Sequence, residues 1–436
     1  MIVALAVVLF TSGCAAKRDN ARETSGTQAR TVAVRADRVL ALPSGHTLIG
    51  GVSESRRGGE GTRACDGELA VVRLDARGRL DAAFGDRGFV HVRPEAKHCV
   101  SSVNQVVPEP DGHTLIGMTI FRPSDSGMED NSSQRANVKR LTSSGQVVGA
   151  FEAELSGFRF AVSPDGSIFD EAGARYRPDG VRDGELAGVS VDLAVDVAVQ
   201  DDGRKLFLGL KHRTNHRRIA VQRLDPRWQA DTTFGNDGVA TADVAPGKPL
   251  EPMLQPSPER VLPAPGGAAI VFARAYGPKR TYASAIKFDA SGRLDRTFGD
   301  HGRVELGPPS RTTEVYDLTV QQDGSLVAIG SSAAPGGRRF FVARHRPDGR
   351  PDRRFGEAGR VALDLPPGAR GVGHRRLDDG ARVGAITAAT GGGYVGIATA
   401  ARAAPKSLVF RLRPDGSLDP SFGQGGMKLL PLRRQG

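Results

Sequence analysis

Residues 417–426 read SLDPSFGQGG, and the same frame occurs four more times along the chain. The other copies are RLDAAFGDRG at 79–88, QADTTFGNDG at 229–238, RLDRTFGDHG at 293–302 and RPDRRFGEAG at 350–359. A pattern D-x-x-F-G-x-x-G that occurs five times in 436 residues indicates an internal repeat. Repeated units of this size stack on one another, because a single unit cannot bury its own apolar faces.

The clearest unit, residues 314–365, contains four short runs of alternating apolar residues. Asp323-Gly324 separates the first two runs, and Asp348-Gly349 follows the third. Asp-Gly between alternating runs is the strongest short-range hairpin signal, because the turn requires positive φ. Each unit is therefore predicted to be a four-stranded antiparallel meander.

Seven such units can be placed in one predicted domain that spans residues 31–432. They cover residues 31–92, 100–152, 157–190, 191–244, 258–307, 314–365 and 382–432. The second unit is degenerate, with Phe151 at the position of the motif Phe, and the third is shortened. We predict an all-β protein, a β-propeller with seven four-stranded blades, one of them shortened. A ring of six blades and an open β-solenoid are the alternatives, and residues 31–34 are expected to help close the ring.

The repeated residues have structural interpretations. The motif phenylalanines are expected to be wedges between neighbouring sheets, and the glycines that follow them to supply positive φ or close backbone approach. The aspartates are expected to accept backbone N–H bonds, since one carboxylate per unit cannot satisfy a cation that needs six to eight oxygens. These residues are Phe84, Phe234, Phe298, Phe355 and Phe422, with Asp81, Asp231, Asp295, Asp352 and Asp419.

The turns and the motif together resemble a known family, the bacterial delta-60 repeat proteins. The resemblance is based on residues 200–203 (QDDG), 321–324 (QQDG), Ala343-Arg344, 413–416 (RPDG) and the five D-x-x-F-G copies. It extends over nearly all of residues 31–432. It implies a propeller-like repeat fold and a location in the cell envelope or outside the cell, without an assigned chemistry.

The N-terminus predicts export. Residues 1–13 contain an apolar run that is too short for a membrane-spanning helix but suits a signal peptide. Residues 11–14, TSGC, resemble a bacterial lipobox, so Cys14 is the predicted lipidation site and residues 14–30 a flexible tether. Cleavage near Ala15 or Ala16 by an ordinary signal peptidase is the alternative. The predicted location is the bacterial cell envelope, as an outer-membrane lipoprotein that faces the periplasm or the surface.

With Cys14 lipidated, Cys65 and Cys99 remain as an even pair, and an oxidising compartment favours a disulfide between them. The chain has no C-x-x-C pair and no His/Cys cluster at zinc spacing. Neither a metal site nor a cofactor is therefore predicted.

The net charge of +11 comes from arginines that are scattered through every unit. A nucleic-acid-binding protein would concentrate its basic residues on one element with aromatics between them, so nucleic acid is not an expected partner. The charge is interpreted as surface solvation, with some attraction to anionic envelope polymers or lipid headgroups.

In a four-stranded meander the loops between strands two and three, and the links between blades, share one face of the disc. All the long insertions fall there, at residues 55–66, 122–135, 245–259 and 366–381. Long loops on a rigid scaffold commonly bind partners, although tolerated insertion is an equal alternative. The candidate binding residues on this face are Arg56, Arg57, His98, Arg122, His374, Arg375 and Arg376.

The sequence contains no hydrolase, metalloprotease, phosphate-loop or EF-hand motif, so no catalytic residue is assigned. Asp196 and Asp317 are expected on innermost strands that face the central channel, with Arg38, Gln105 and Gly384 at the equivalent positions. His212 and His216 are interpreted as loop residues. A weak calcium site at Asp125, Glu129 and Asp130 is considered less probable than a solvated loop.

Two functions follow from this sequence. The first is a non-catalytic lipoprotein that uses its long-loop face to hold an envelope protein or glycan, and is attached to the membrane through its N-terminal lipid. The second is a propeller enzyme, a hydrolase or lyase acting on envelope polysaccharide or a lactone. The second function requires two carboxylates, or a His and a carboxylate, that converge on one ligand position in the channel.

Overall fold

The computed structural model describes residues 31–54, 67–94, 98–122, 133–186, 188–213, 216–244, 255–276, 281–307, 313–334, 337–364, 384–400, 406–430 and 432–433. The predicted signal peptide 1–13, the tether 14–30 with Cys14, and Cys65 lie outside these ranges. Within the ranges, no helix is long and apolar enough to cross a membrane.

The chain folds into seven antiparallel sheets, which we number as blades one to seven. Blades one to three contain β1 (Thr31–Ala41), β2 (Thr47–Glu54), β3 (Gly67–Leu74), β4 (Phe89–Val92), β5 (Cys99–Pro108), β6 (Thr114–Phe121), β7 (Arg135–Leu141), β8 (Val147–Leu155), β9 (Phe160–Val162), β10 (Ile168–Asp170), β11 (Ala174–Tyr176) and β12 (Arg182–Glu185). Blades four and five contain β13 (Asp192–Val199), β14 (Lys205–Arg213), β15 (His216–Leu224), β16 (Val239–Ala242), β17 (Gln255–Ala264), β18 (Ala268–Tyr276), β19 (Thr281–Phe288) and β20 (Arg303–Glu305), with a 3-10 turn at Pro265–Gly267. Blades six and seven contain β21 (Glu314–Val320), β22 (Leu326–Ala334), β23 (Gly337–His345), β24 (Arg360–Leu363), β25 (Gly384–Ala388), β26 (Tyr394–Ala400), β27 (Lys406–Leu412) and β28 (Met427–Leu430), and are followed by β29 (Leu432–Arg433).

Each blade is a meander in which four consecutive strands, A to D, pair in chain order. The A strands of successive blades contact one another around most of the ring and are innermost. The prediction of a seven-bladed β-propeller with one shortened blade is confirmed. Residues 31 and 32 pair with 433 and 432, so the two ends of the domain meet at blade one, as the predicted role of residues 31–34 in closure requires.

The Asp-Gly turns fold as the sequence predicts. In blade six the N–H of Gly324 donates to the carbonyl of Gln321 at 2.9 Å, and Gly324 has φ of 82°. The Asp323 carboxylate accepts the N–H of Ser325 at 2.8 Å. This turn places residue Leu326 opposite Val320 and sets the register of the hairpin.

The five motif phenylalanines are buried, with at most 2% of their surface exposed. Each lies in an apolar cluster built from its own blade and the next one. Phe234, for example, packs with residues of blades four and five, and Phe422 packs with residues of blades seven and one. The seven clusters of buried residues correspond to the seven interfaces of a closed ring. The wedge interpretation is therefore confirmed.

The motif aspartates accept backbone N–H bonds, as predicted, and also bind a cation from strand C. In blade four, Asp231 accepts the N–H of Thr233 at 3.1 Å and the Nε of Arg223 at 2.8 Å. The Arg223 guanidinium lies over the Phe234 ring, 4.3 Å from its centroid. Although burial opposes ionisation, the bonds from Thr233 and Arg223 hold the pKa of Asp231 below its usual value.

The motif glycine joins one blade to the next. Gly235 has φ of 63°, and its N–H donates to the carbonyl of Ser291 in blade five at 2.7 Å. The same bond recurs at all five motif copies. It runs from Gly85 to Ser144, from Gly299 to Asp348, from Gly356 to Asp415 and from Gly423 to Arg77. A side chain at Gly235 would also collide with the carbonyl of Val239, since its Cβ would lie 2.2 Å from that oxygen.

The turn that receives this bond must itself be small. The C–D turn glycine of each receiving blade packs on the motif Phe region of the preceding blade. A Cβ at Gly145 would lie 2.9 Å from the Phe84 ring. Blade four has Trp228 at this turn position, at φ of 70°, and its indole meets Phe169 of blade three edge-on at 5.0 Å. Blade three has no motif Phe, so the indole occupies space that a motif phenylalanine occupies at the other interfaces.

We expect Phe355→Ala to lower the free energy of unfolding by about 3–5 kcal/mol, because the ring is fully buried and meets Tyr394 edge-on at 5.8 Å. Urea unfolding measures the loss. Phe158→Ala is the matched control, because Phe158 is 43% exposed and should cost less than about 1 kcal/mol. Equal losses in the two variants would contradict the wedge role.

Candidate functional site

The ring has two unlike faces. The A–B and C–D turns form what we call the short-turn face, and the B–C loops and D–A links form the long-loop face. Most of the predicted insertions lie outside the described residues, and so do Arg56, Arg57, His374, Arg375 and Arg376. The acidic segment with Asp125, Glu129 and Asp130 also lies outside them.

Two of the predicted face residues meet. The Nε of Arg122, at the end of strand B of blade two, donates to the Nε2 of His98 at 2.9 Å. His98 belongs to the link between blades one and two. The neighbouring Cys99 is 4% exposed and begins strand A of blade two. Its disulfide with Cys65 stays a prediction, since Cys65 is not among the described residues.

Blade three has short strands on the side of the long-loop face. Its strands A, B and C have three residues each, whereas β2 and β3 of blade one have eight. Strand β9 reaches its A–B turn, which begins at Ser163, so the missing residues are at the other end, on the long-loop side. Five residues fewer, at about 3.3 Å each, make these strands shorter by about 16 Å. We call the region at their short ends the blade-three notch.

The notch carries exposed apolar side chains. Phe158, in the link that leads into blade three, is 43% exposed, and Leu193, at the start of blade four, is 60% exposed. Leu193 also has φ of 49°, a conformation that a bulky side chain rarely adopts. Strained backbone of this kind is concentrated at binding and catalytic sites.

Two carboxylates hold the floor of the notch. Glu171 accepts the N–H groups of Phe158 and Arg159 at 2.7 and 2.8 Å. Asp170 is fully buried and accepts the N–H groups of Ser156 and Ala174 at 2.8 and 2.9 Å. Burial raises the pKa of Glu171 to about 7, although the backbone bonds favour its ionised form. Neither residue is predicted from the sequence, because both lie in the unit that departs from the repeat.

The central channel is lined mainly by charged side chains at one level. Counting four residues back from the first residue of each A–B turn gives one position per blade. The seven residues at this position are Arg38, Gln105, Arg159, Asp196, Arg260, Asp317 and Ala385. The side chain of Arg260 is 34% exposed, so solvent reaches this level of the channel.

The channel carboxylates join neighbouring blades. Asp196 accepts the N–H of Val261 in blade five at 2.9 Å. Asp317 accepts the N–H of Ile386 in blade seven at 3.1 Å and pairs with Arg260 at 2.6 Å. Burial raises the pKa of Asp196. Arg260 is different, because attraction to Asp317 and Asp196 outweighs burial and raises its pKa.

The sequence prediction for the channel was right in part. Asp196, Asp317, Arg38 and Gln105 occupy equivalent positions, as predicted. The assignment of Gly384 to this level was wrong, because the register places Ala385 there, opposite Ile397. Arg159 and Arg260 were missed. An alignment anchored on the A–B turns, rather than on apolar runs, would have found both.

The histidine pair was also misplaced. His212 is the last but one residue of strand β14 and His216 begins strand β15, so both belong to a hairpin and not to a loop. Among the residues that the structure describes, no group of three or more His, Cys, Asp or Glu side chains could hold a metal ion.

A second concavity, of about 920 Å³, lies on the short-turn face of blade six. Its lining contains five arginines with two aspartates, Asp323 and Asp352. The arginines are Arg344, Arg346, Arg350, Arg353 and Arg354. Arg344 binds Asp352 as the motif requires, whereas Arg353 and Arg354 are exposed.

A family of propeller domains matches two segments of this chain. The family is described as "Domain of unknown function (DUF5122) beta-propeller", and the matched residues are 321–355 and 395–422. The first segment begins at the A–B turn of blade six, and both segments end on a motif phenylalanine. No curated protein sequence matches the chain.

Solved structures match the chain at low sequence identity. Prolyl oligopeptidase B from Galerina marginata has 10% identity and a TM-score of 0.45 over 92% of this chain and 51% of that one. A levansucrase from Bacillus subtilis has 11% identity and a TM-score of 0.33 over 75% and 89%. A mannose phosphorylase from Leishmania mexicana has 12% identity and a TM-score of 0.31 over 73% and 85%. This chain spans about half the length of the prolyl oligopeptidase chains.

Glu171 gives the notch a pH dependence. Its pKa rises from 4.5 when exposed to about 7 in the folded protein, so the folded state holds a proton that the unfolded state releases between these values. The free energy of unfolding should therefore fall as pH rises through this window, by at most about 1.4 kcal/mol per pH unit from this group.

Urea unfolding from pH 4.5 to 7 should show a smaller slope with pH in Glu171→Gln than in the wild type. Glu185→Gln, at an exposed position of the same blade, is the control and should keep the wild-type slope. An unchanged slope in Glu171→Gln would contradict the raised pKa.

Proposed function

We propose that this protein is a non-catalytic, exported lipoprotein whose propeller holds an envelope protein or glycan partner at its long-loop face. The observation that carries the proposal is the blade-three notch. It combines exposed Phe158 and Leu193 with a floor fixed by buried carboxylates. Exposed apolar side chains on a rigid base are typical of interaction sites, and they favour a protein partner.

The channel chemistry supports binding over the alternative of a hydrolase or lyase. That alternative needs two carboxylates that are free to reach one ligand. Both oxygens of Asp317 accept bonds from its own and the next blade, through the N–H groups of Leu318 and Ile386. Asp196 is similarly engaged by Val261. These carboxylates thus have a structural use in holding the blades together.

Partner binding can be tested with two notch variants and a control on the opposite face of the same blade. Phe158→Ser and Leu193→Ser should each weaken capture of the partner from solubilised envelope by about tenfold, since a buried aromatic or aliphatic contact contributes on the order of 1–3 kcal/mol. Val181→Ser is the control, because Val181 is 50% exposed but lies in a turn of the short-turn face. Equal capture by all three variants would exclude the notch as the binding site.

Lipidation is a separate part of the proposal. Metabolic labelling with a fatty-acid analogue should mark the wild-type protein and should be absent in Cys14→Ser, because the lipid is attached through the thiol of residue 14. Cys65→Ser serves as the control and should keep the label. A label that persists in Cys14→Ser would contradict the lipoprotein proposal and leave the notch proposal intact.

A further inference from the structure

Three arginines of the blade-six concavity lack an anionic partner. Arg350, Arg353 and Arg354 line the concavity and are exposed. Their side chains form no hydrogen bond and no ion pair with any other residue that the structure describes. Glu357 follows them in the sequence but does not line the concavity. The three guanidinium groups, each with five N–H donors, are therefore available to a ligand.

The carboxylates of the lining are already engaged by the other two arginines or close to them. Arg344 pairs with Asp352 at 3.4 Å and lies 3.5 Å from Asp323. Arg346 pairs with Asp348, in the adjoining turn, at 3.0 Å. The lining thus offers no further carboxylate to the three exposed arginines.

The C–D turns of other blades show that the repeat does not require these cations. At the position of Arg346, blade one has Asp75, whose carboxylate accepts two turn N–H groups at 2.9 Å and pairs with Arg79 at 2.9 Å. Blades four and five also have an aspartate there that accepts turn N–H groups. Blade seven has an arginine at this position, but has Ser417 at the position of Arg350. Blade six combines two arginines, so Arg350 lacks the partner that Arg79 has.

The motif of blade six is changed in the same direction. In blades four, five and seven the residue before the motif phenylalanine is Thr or Ser, and its hydroxyl donates to the motif aspartate, as Thr233 does to Asp231 at 2.5 Å. Blade six has Arg354 there, so Asp352 receives only the N–H of that residue, at 3.1 Å. Of the five motif copies, this one alone has two arginines between Asp and Phe. A structural hydrogen bond has been replaced by an exposed cation, which indicates a use at this blade.

The rest of the lining indicates the chemistry of the ligand. A volume of about 920 Å³ is within the range of small-molecule sites. Pro347, Pro351 and Ala358 add small apolar surfaces, and the side chain of Asp323 is 56% exposed and can accept a hydroxyl. A ligand with both carboxylate and hydroxyl groups fits this combination of donors and acceptor.

Two other classes of anion fit less well. The described lining contains no aromatic side chain on which a nucleic-acid base could stack. It also contains no large apolar side chain of the kind that inserts into a bilayer surface. A lipid surface is flat, whereas the arginines line a concavity. The lining therefore favours a flexible, hydroxylated anion.

We propose that the blade-six concavity binds an acidic oligosaccharide. Its carboxylate groups bind Arg350, Arg353 and Arg354, because guanidinium forks hold planar oxyanions through paired N–H donors. A sugar hydroxyl donates to Asp323. The site lies on the face opposite the blade-three notch, so it does not rest on the partner binding proposed there.

Isothermal titration of the full-length protein with tetragalacturonate, at low and constant ionic strength, tests the site. Wild type should bind this probe, and should bind its methyl ester, the same sugar chain without the charges, at least tenfold more weakly. The double variant Arg353→Gln/Arg354→Gln should weaken binding of tetragalacturonate by about tenfold, since each exposed charge pair contributes up to about fivefold.

The matched control is the double variant Arg77→Gln/Arg227→Gln. It removes the same charge from exposed positions on the C–D turns of blades one and four, on the same face of the ring. It should bind tetragalacturonate within about twofold of wild type. Equal weakening in the two double variants would show attraction by net charge alone and would overturn the proposal.

A measurement on the unmodified sequence makes the test independent of variant folding. Phenylglyoxal modifies accessible arginines, and mass spectrometry reports each modified residue. Tetragalacturonate should slow modification of Arg350 and Arg353 and leave that of Arg227 unchanged. Lack of binding by wild type, equal binding of the methyl ester, or equal modification of Arg353 with and without probe would each overturn the proposal.

Phosphatidylglycerol vesicles provide the last comparison. Wild type should bind them no more tightly than the Arg353→Gln/Arg354→Gln variant does. Vesicle binding that this variant loses, in a protein that does not bind tetragalacturonate, would assign the concavity to a lipid surface and overturn the proposal.

Discussion

The ring depends on the contact that each motif makes with the next blade. A four-stranded antiparallel sheet has two apolar faces and cannot bury both by itself. The motif Phe fills the space between two sheets, and the glycine after it donates its N–H to a turn of the neighbouring blade. A side chain at that glycine would collide with its own strand D. The contact therefore fixes the spacing and the angle between blades, and its fifth copy joins blade seven to blade one, where Gly423 binds Arg77.

The fold could be predicted from the sequence because the same physical requirement is repeated. Positive φ at Gly324 and at the motif glycines favours glycine at those positions, so these turns can be recognised from the sequence. The strand-C cation was harder to foresee. Arg223 lies eight residues before Asp231 and reaches it only because the C–D turn folds back. Such a pair is invisible until the meander has been assembled in three dimensions.

The candidate site could be predicted only in part, for a related reason. Asp196 and Asp317 were placed on the inner strands because they follow the repeat. Arg159 was missed, because in blade three only the A–B turn keeps its ordinary spacing while the strand before it is short. Glu171 and Phe158 have no counterpart in the motif at all. Both residues lie where the strands of blade three are short, and a repeated motif does not reveal missing residues.

Blade three shows how the ring tolerates this departure. The motif phenylalanine and glycine are lost there, and other groups replace their contacts. Gln105 exchanges two hydrogen bonds with the backbone of Phe160, at 2.7 and 3.0 Å, and so joins blades two and three near the channel. Trp228 fills the outer part of the next interface against Phe169, with the ammonium group of Lys205 3.9 Å from its ring centroid. These contacts hold blade three in place, although its strands stay short on the side of the long-loop face.

A blade that had simply degenerated would leave cavities and unsatisfied backbone groups, which destabilise a packed ring. In blade three the carboxylates of Asp170 and Glu171 instead accept backbone N–H bonds, as expected of a departure from the repeat that has been selected for a use.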